Sequence, residues 1–546
     1  MNKNVVLFLI LFSMNISVYS QTFTSSNLPI IIINTGGQNI PDEPKISAAM
    51  GIIYNGPDVR NNLSDPHNNY NGNIGIERRG SSSQSFEKKS YALETRLEDG
   101  SNNNVELLGL AEENDWVLNG PYSDKSLIRN ALTFYLFNKM GRYSSRFRFC
   151  ELVLNGEYQG IYVLLEKIKR DKNRVDISNL KPEDIAGDEL TGGYILKIDK
   201  TQGEEVDGWY SQYRPPWASN QRIYIQYHEP APSDLMPEQK AYIRTYINNF
   251  EDMLKSDDFA DPLTGYPQWI DVGSFIDFFL INELSRNVDG YRLSSFFYKD
   301  KDSVNPKITM GPLWDFNLAF GNADYYDGSS ISGLFIDYDL VDYDSFHIPF
   351  WWRRLMEDPA YVNQAVNRWN DLRSNILSPD SLNYYIDSFA NELDEAQKRN
   401  FQRWDILGQY VWPNNFIGGS YGAEINYLKS WIAQRSTWLD NYFNTVLSFE
   451  NQENEQKPIS HFELVSIAPN PFNPVTTLTM NIAKAGIVKV NVFDVKGRLC
   501  SVLKDRNYLP GTYRFTWNAA ANPSGVYFIE MQAGQFRTVQ KAILLK

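Results

Sequence analysis

The sequence predicts an α+β chain, with a large mixed unit followed by a small all-β sandwich. Three observations carry that expectation. The first half of the chain reads as strands, including two apolar runs joined through Asn155 and Gly156, a hairpin signal. Helical periodicity dominates from about residue 238 onward. A polar stretch, ENQENEQKP at 450–458, then breaks the composition, and short alternating runs follow it.

Lys3, the apolar run Val5–Phe12 and the small residues near Ser20 have the n-, h- and c-region layout of a secretory signal peptide, so residues 1–20 are set apart as a leader. Ser123 and Asp124 are placed to cap a helix with the apolar stripe Ile128, Ala131, Leu132, Tyr135 and Leu136, and Gly141 lies just past its end. Phe149–Leu154 and Ile161–Leu165 are the two strands of the hairpin. Helices are expected at Glu238–Leu254, Phe275–Leu284, Tyr361–Leu372, Ser381–Arg399 and Tyr421–Phe443. The mixed unit therefore spans 21–445, a linker 446–461, and the sandwich 462–546. In the sandwich, Thr477–Ile482, Val488–Phe493, Tyr513–Trp517, Val526–Met531 and Thr538–Leu545 alternate, with turn residues between them.

Composition narrows the function. The chain has 546 residues and a formal net charge of −14, which argues against a nucleic-acid footprint, because phosphate neutralisation needs clustered Lys and Arg. Two Cys and four His leave no room for a disulfide framework or a Cys/His zinc site. Cys150 and Cys500 fall in separate predicted units, so no bridge is expected between them. No run after the leader is long and apolar enough to span a bilayer. HExxH, GxSxG and CxxC are all absent.

The residues most informative about chemistry run from Asn287 to Asn322. Asp289 and Gly290 make a turn, Tyr291–Lys299 reads as a strand, 300–305 as a loop, and Lys307–Trp314 as the returning strand. Pairing about residues 302–303 brings Asp289 and Asp315 to the same open end of the hairpin. Two carboxylates there can hold a divalent cation or divide acid and base work. Protein kinases use the same order: a catalytic Asp, a short hairpin, then a metal-holding Asp followed by Phe. The basic side is sought in ERRGSSSQSFEKKSYALETR at 77–96, where Arg78 to Ser83 form a polar turn and Lys88 and Lys89 open a strand. Its spacing is not that of a P-loop. Glu166 ends an apolar strand and needs a partner, a Lys being the obvious one. Lys197 sits inside GGYILKI and is costly unless paired or at an edge. Structural ion pairing and ordinary turn geometry are the competing account of each of these residues. Trp209, Tyr210, Trp217, Trp269, Trp351 and Trp352 are candidates for glycan stacking, with packing as the plainer role.

The blocks RRGSSSQSFEKKSYAL, WVLNGPYSDKSLIRN, VLNGEYQGIYVLLEKI, GGYILKIDK, NVDGYRLSSFFYKD and MGPLWDFNLAFGN, in that order over about residues 70–325, resemble the spore coat protein H (CotH) kinase family. The resemblance implies an atypical protein-kinase-like domain that uses ATP and Mg²⁺ to phosphorylate Ser or Thr of a protein substrate. Carried over, Asp289 is the catalytic base and Asp315 the metal ligand. Lys89 would meet the nucleotide phosphates with Glu166 orienting it, and Arg79 and Lys197 complete the nucleotide-binding set. Many members carry an acid two residues after the metal-binding Asp; this chain has Asn317, which can still ligate through its carbonyl. Ser294 stands where ordinary kinases carry a metal-binding Asn. The tail, APNPFNPVTTLTMNI through SGVYFIEMQAGQFRTVQKAILLK, resembles the C-terminal sorting domain of type IX (Por) secretion, which implies the type IX machinery as a partner and export to the cell surface or medium. The alternatives are a non-catalytic surface module binding glycan or protein on the same fold, and a glycoside hydrolase using paired carboxylates. The hydrolase is disfavoured because both acids come from one short motif.

Overall fold

The computed structural model describes residues 23–201, 206–215, 221–339, 344–454, 461–508 and 511–546. The expected leader, Trp217 and most of the end of the expected linker lie outside them. The chain divides into two compact units, the first ending at Leu439. Among the described residues no helix is long and apolar enough to cross a membrane.

The first unit opens with a closed barrel of seven strands: β1 (Ile30–Asn34), β2 (Ile46–Ile53), β3 (Tyr70–Arg79), β4 (Ser90–Arg96), β5 (Asp115–Asn119), β6 (Phe147–Leu154) and β7 (Glu157–Glu166). Neighbours are antiparallel except β6 and β1, whose parallel pairing of Glu151 to Leu154 with Ile30 to Ile33 closes the ring. Inward residues fill it: Ile31, Ile33, Met50, Ile52, Ile74, Leu93, Trp116, Leu152 and Leu164 are all at most 1 % exposed. The β6–β7 hairpin turns at Asn155 and Gly156, both at positive φ (50° and 81°), the geometry of a two-residue turn that matches strand twist. The opening run IIIIN was not expected as a barrel strand, because an all-apolar run has no alternation to read.

Between β5 and β6 lies α1 (Arg129–Lys139). Asp124 serves its N-terminus from a turn earlier: one carboxylate oxygen accepts from the Arg129 N–H at 2.8 Å, the other from the Arg129 guanidinium at 2.6 Å. Gly141 follows the helix at φ 88°, as expected of a C-terminal glycine.

A second sheet holds β8 (Tyr194–Ile198), β9 (Gly208–Tyr210), β10 (Tyr224–Glu229), β11 (Ser295–Lys299) and β12 (Ile308–Met310), in the order β9-β10-β8-β11-β12. The predicted hairpin is there, shorter at both ends. Phe297 pairs with Met310 and Lys299 with Ile308. The expected turn at Asp289 and Gly290 is there and extends through Tyr291–Ser294, expected as strand, with Leu293 N–H bonded to the Asp289 carbonyl at 2.9 Å and positive φ at Tyr291 and Ser294.

The helical back contains α2 (Pro237–Lys255), α3 (Val272–Ser285), α4 (Pro359–Ser374), α5 (Pro379–Glu392), α6 (Asp394–Arg403) and α7 (Tyr421–Asn454). The expected Ser381–Arg399 helix is two helices that meet at Leu393. Helix α7 runs on to Asn454, past the expected boundary at 445, since nothing in ENQEN stops a helix. Buried Glu283 of α3 pairs with buried Arg435 of α7 at 3.2 Å and also accepts the Phe335 and Ile336 N–H groups.

The second unit is the small sandwich. Strands β13 (Glu463–Ala468), β14 (Val475–Ile482) and β17 (Gly511–Asn518) form one sheet. Strands β16 (Leu499–Tyr508), β15 (Gly486–Asp494), β18 (Gly525–Ala533) and β19 (Phe536–Leu544) form the other. Leu478, Met480, Val490, Val492, Ile529, Met531 and Leu544 are fully buried between them. Strands β13 and β16 were not foreseen; β16 is an edge strand that leaves Leu499 and Val502 more than half exposed, so its pattern does not alternate cleanly. Cys150 and Cys500 are both free thiols, as expected.

Candidate active site

A cleft of about 1090 Å³, counting its open mouth, lies on the outer side of the barrel. One wall is the barrel rim: Arg79 at the end of β3, the Gly80–Ser83 turn, Asn119 at the end of β5 and Gly120 just past it. Strand alternation turns Val163 and Leu165 out of the barrel core to form the floor with Phe134 of α1. The opposite wall holds Lys200, Asp289, Trp314, Asp315 and Asn317. The turn at Gly80 requires glycine: φ is 106°, and a Cβ there would stand 2.0 Å from the Ser83 hydroxyl.

The hairpin β11–β12 does bring the two predicted acids into one site, because both lie beyond its open end. Asp289 is nearly buried, at 14 % side-chain exposure, and faces Arg292 at 3.4 Å. Arg292 in turn holds Asp344 at 3.0 Å and donates to the carbonyls of Val288 and Phe346. Loss of water raises the Asp289 pKa, while Arg292 and Lys200 pull it back.

Asp315 sits at φ 61°, a left-handed conformation costing on the order of 1 kcal/mol for a non-glycine residue. Helix α1 holds it there. The Phe316 N–H donates to the Asn130 side-chain oxygen at 2.6 Å, and the Arg129 guanidinium donates to the Ala319 carbonyl at 3.0 Å. Asp315 keeps more than a third of its surface open, yet protein surrounds the carboxyl on most sides. Loss of water first, and the Asp289 charge second, push its pKa up to about 6 against the pull of Arg79. The Arg79 guanidinium lies 5.1 Å above the Trp314 ring, and burial lowers its pKa against the attraction of Asp315.

Three residues expected at the nucleotide do not reach the cleft. Lys89 donates to the backbone carbonyls of Gln84 and Phe86, so its ammonium staples its own turn. Glu166 is fully buried and takes Arg146, not a lysine: guanidinium bonds of 2.6 and 3.0 Å, the Arg146 N–H at 3.0 Å and the Tyr143 hydroxyl at 3.1 Å. The fork of an arginine satisfies both carboxylate oxygens, which a lysine cannot do. Lys197 pairs with Asp199 at 3.6 Å and does not line the cleft; a different lysine just past this strand does. That residue, Lys200, was missed, although it stands one step beyond Asp199 at the strand's end. Asn317 does line the cleft.

Lys89→Met is therefore expected to remove two hydrogen bonds from a half-buried ammonium. The cost is about 1–2 kcal/mol. It should appear as a modest fall in melting temperature by differential scanning calorimetry.

Among the described residues no group of three or more His, Cys, Asp or Glu side chains is arranged around a metal position. The candidate donors are instead the Asp315 carboxylate and the Asn317 amide, which line the same cleft. That fits Mg²⁺, which takes oxygen ligands, keeps several waters and completes its shell with substrate phosphates. Of the aromatic candidates, Trp209, Trp351 and Trp352 are buried core residues, while Trp269 is half-buried and Tyr210 is exposed.

Comparison with known proteins agrees with both sequence resemblances. The family model of the CotH kinase protein matches residues 76–439, about two thirds of the chain, and that of the secretion system C-terminal sorting domain matches 466–545. The tail indicates export by type IX secretion, to the cell surface or the medium. No curated protein matches the chain.

Proposed function

The chain belongs to the CotH kinase protein family, and from that premise we propose that it is an exported protein kinase that transfers the γ-phosphoryl group of ATP to a Ser or Thr hydroxyl. The observation that carries the reading is the convergence of Asp289 and Asp315 in one cleft that Arg79 also lines.

Each residue has a distinct task. Asp289, held by Arg292, accepts the proton of the acceptor hydroxyl as its oxygen bonds to phosphorus. The bond from the γ-phosphorus to the departing ADP oxygen breaks, and the electron pair leaves with ADP. Asp315 and the Asn317 carbonyl oxygen would hold Mg²⁺, which supplies charge neutralisation on the phosphate oxygens. Arg79 adds a fixed positive charge, poised in place by Trp314. The barrel rim supplies Arg79, and the segments beyond the hairpin's open end supply Asp289 and Asp315, so the site works by positioning more than by covalent chemistry.

The experiment is a titration of the chain with ATP, with and without Mg²⁺, followed by phosphorylation of a degenerate Ser/Thr peptide library. Metal affinity should also follow the Asp315 carboxyl. A dication needs the ionised form, and the pKa is raised to about 6. Affinity is therefore expected to be flat above about pH 7 and to fall roughly tenfold per unit below about pH 6. Mn²⁺ binding followed by electron paramagnetic resonance checks this without the titration of ATP itself. Affinity independent of pH down to 5 would contradict the assignment of Asp315.

A further inference from the structure

We propose that Lys200 is the lysine that binds the nucleotide's terminal phosphates, the task the family resemblance gave to Lys89. The inference rests on the kinase reading of the same cleft.

Two observations carry it. The first is commitment. Lys89 spends its ammonium on two backbone carbonyls, and Lys197 on Asp199. Among the described residues the Lys200 ammonium makes no ion pair and no hydrogen bond, and with Arg79 it supplies the cationic side chains of the cleft lining. An ammonium beside two carboxylates that none of them pairs is available to an incoming anion. The second is placement. Lys200 follows the end of β8, and the side chain of buried Gln226 donates to the carbonyls of Asp199 and Lys200 at 2.7 and 3.1 Å. That clamp fixes the backbone from which the lysine projects. Its charge acts on both Asp289 and Asp315. Lys200 thus shares one cleft with the proposed metal ligand and the proposed catalytic base, the end to which the terminal phosphates are assigned.

The test uses the full chain, with Mg·ATP and Mg·AMP titrated calorimetrically into wild type, Lys200→Met, Lys200→Arg and Lys89→Met. Lys200→Met is expected to weaken ATP binding about 10- to 100-fold, the loss of one charge-assisted contact, and to change AMP binding less than about threefold. Lys200→Arg should restore most of the ATP affinity, and Lys89→Met should bind ATP as wild type does. Thermal unfolding of each variant separates a lost contact from a lost fold. Wild-type affinity in Lys200→Met, or loss in Lys89→Met alone, overturns the assignment while leaving the kinase reading intact. A wild-type chain that takes up no Mg·ATP overturns the kinase reading, and this assignment with it.

Discussion

Asp315→Asn is expected to abolish Mg²⁺-dependent ATP binding and to make the protein more stable at pH 8. The substitution keeps the size of the side chain and removes its charge. The folded state disfavours that charge, since the Asp315 pKa is raised from the ordinary 3.8 to about 6. For a raised carboxyl, the stabilising protonated form is fully present below the unfolded-state pKa and is lost as pH rises through the folded one. The gain of the Asn variant should thus be largest above about pH 7, shrink between about 6 and 4, and vanish below. Because Asp315 is open to the cleft, solvent screens part of the effect, and a rise of a few degrees in melting temperature is the expected scale. Calorimetric melts at pH 8 and pH 4 measure it. A fold that gains stability while its ligand site fails is the mark of a residue kept for function. A variant less stable at pH 8, with ATP binding intact, would place Asp315 in the scaffold instead.

Asp289→Asn should behave differently. A base is needed only as the hydroxyl proton departs, so nucleotide binding should survive within a few-fold. Phosphate transfer to the peptide library should fall roughly 10²–10⁴-fold. The Asn variant cannot accept the proton but still fits beside Arg292, so loss of folding is not expected to confuse the result. Equal loss of binding and transfer would make Asp289 a second metal ligand rather than the base.

The parts of this site that could be read from the sequence are those set by local rules. The hairpin itself follows from strand spacing, and it carries Asp289 and Asp315 to its open end across a separation of 26 positions, although the pairing is offset from the expected centre at 302–303 and the turn at 289–294 and helix α1 set the final placement. Asn155 and Gly156 announce their turn, and Gly141 its helix end. What escaped depends on distant partners. Closure of the barrel needs β1 beside β6, joined by a parallel pairing more than a hundred residues apart. The partner of Glu166 is decided by Arg146, which reaches it only once β6 and β7 have paired. The engagement of Lys89 is hidden for the same reason. Lys89 looks free as a sequence, yet the 82–86 turn folds its carbonyls onto the ammonium. Lys200 looks like the end of a strand, yet Gln226 of the neighbouring strand fixes the backbone from which it projects.

The most direct measurement is a calorimetric titration of Mg·ATP into the wild-type chain and into Asp315→Asn at pH 8. The account predicts one saturable site in the wild type, dependent on Mg²⁺, and none in the variant. No binding in the wild type, or equal binding in both, would contradict it.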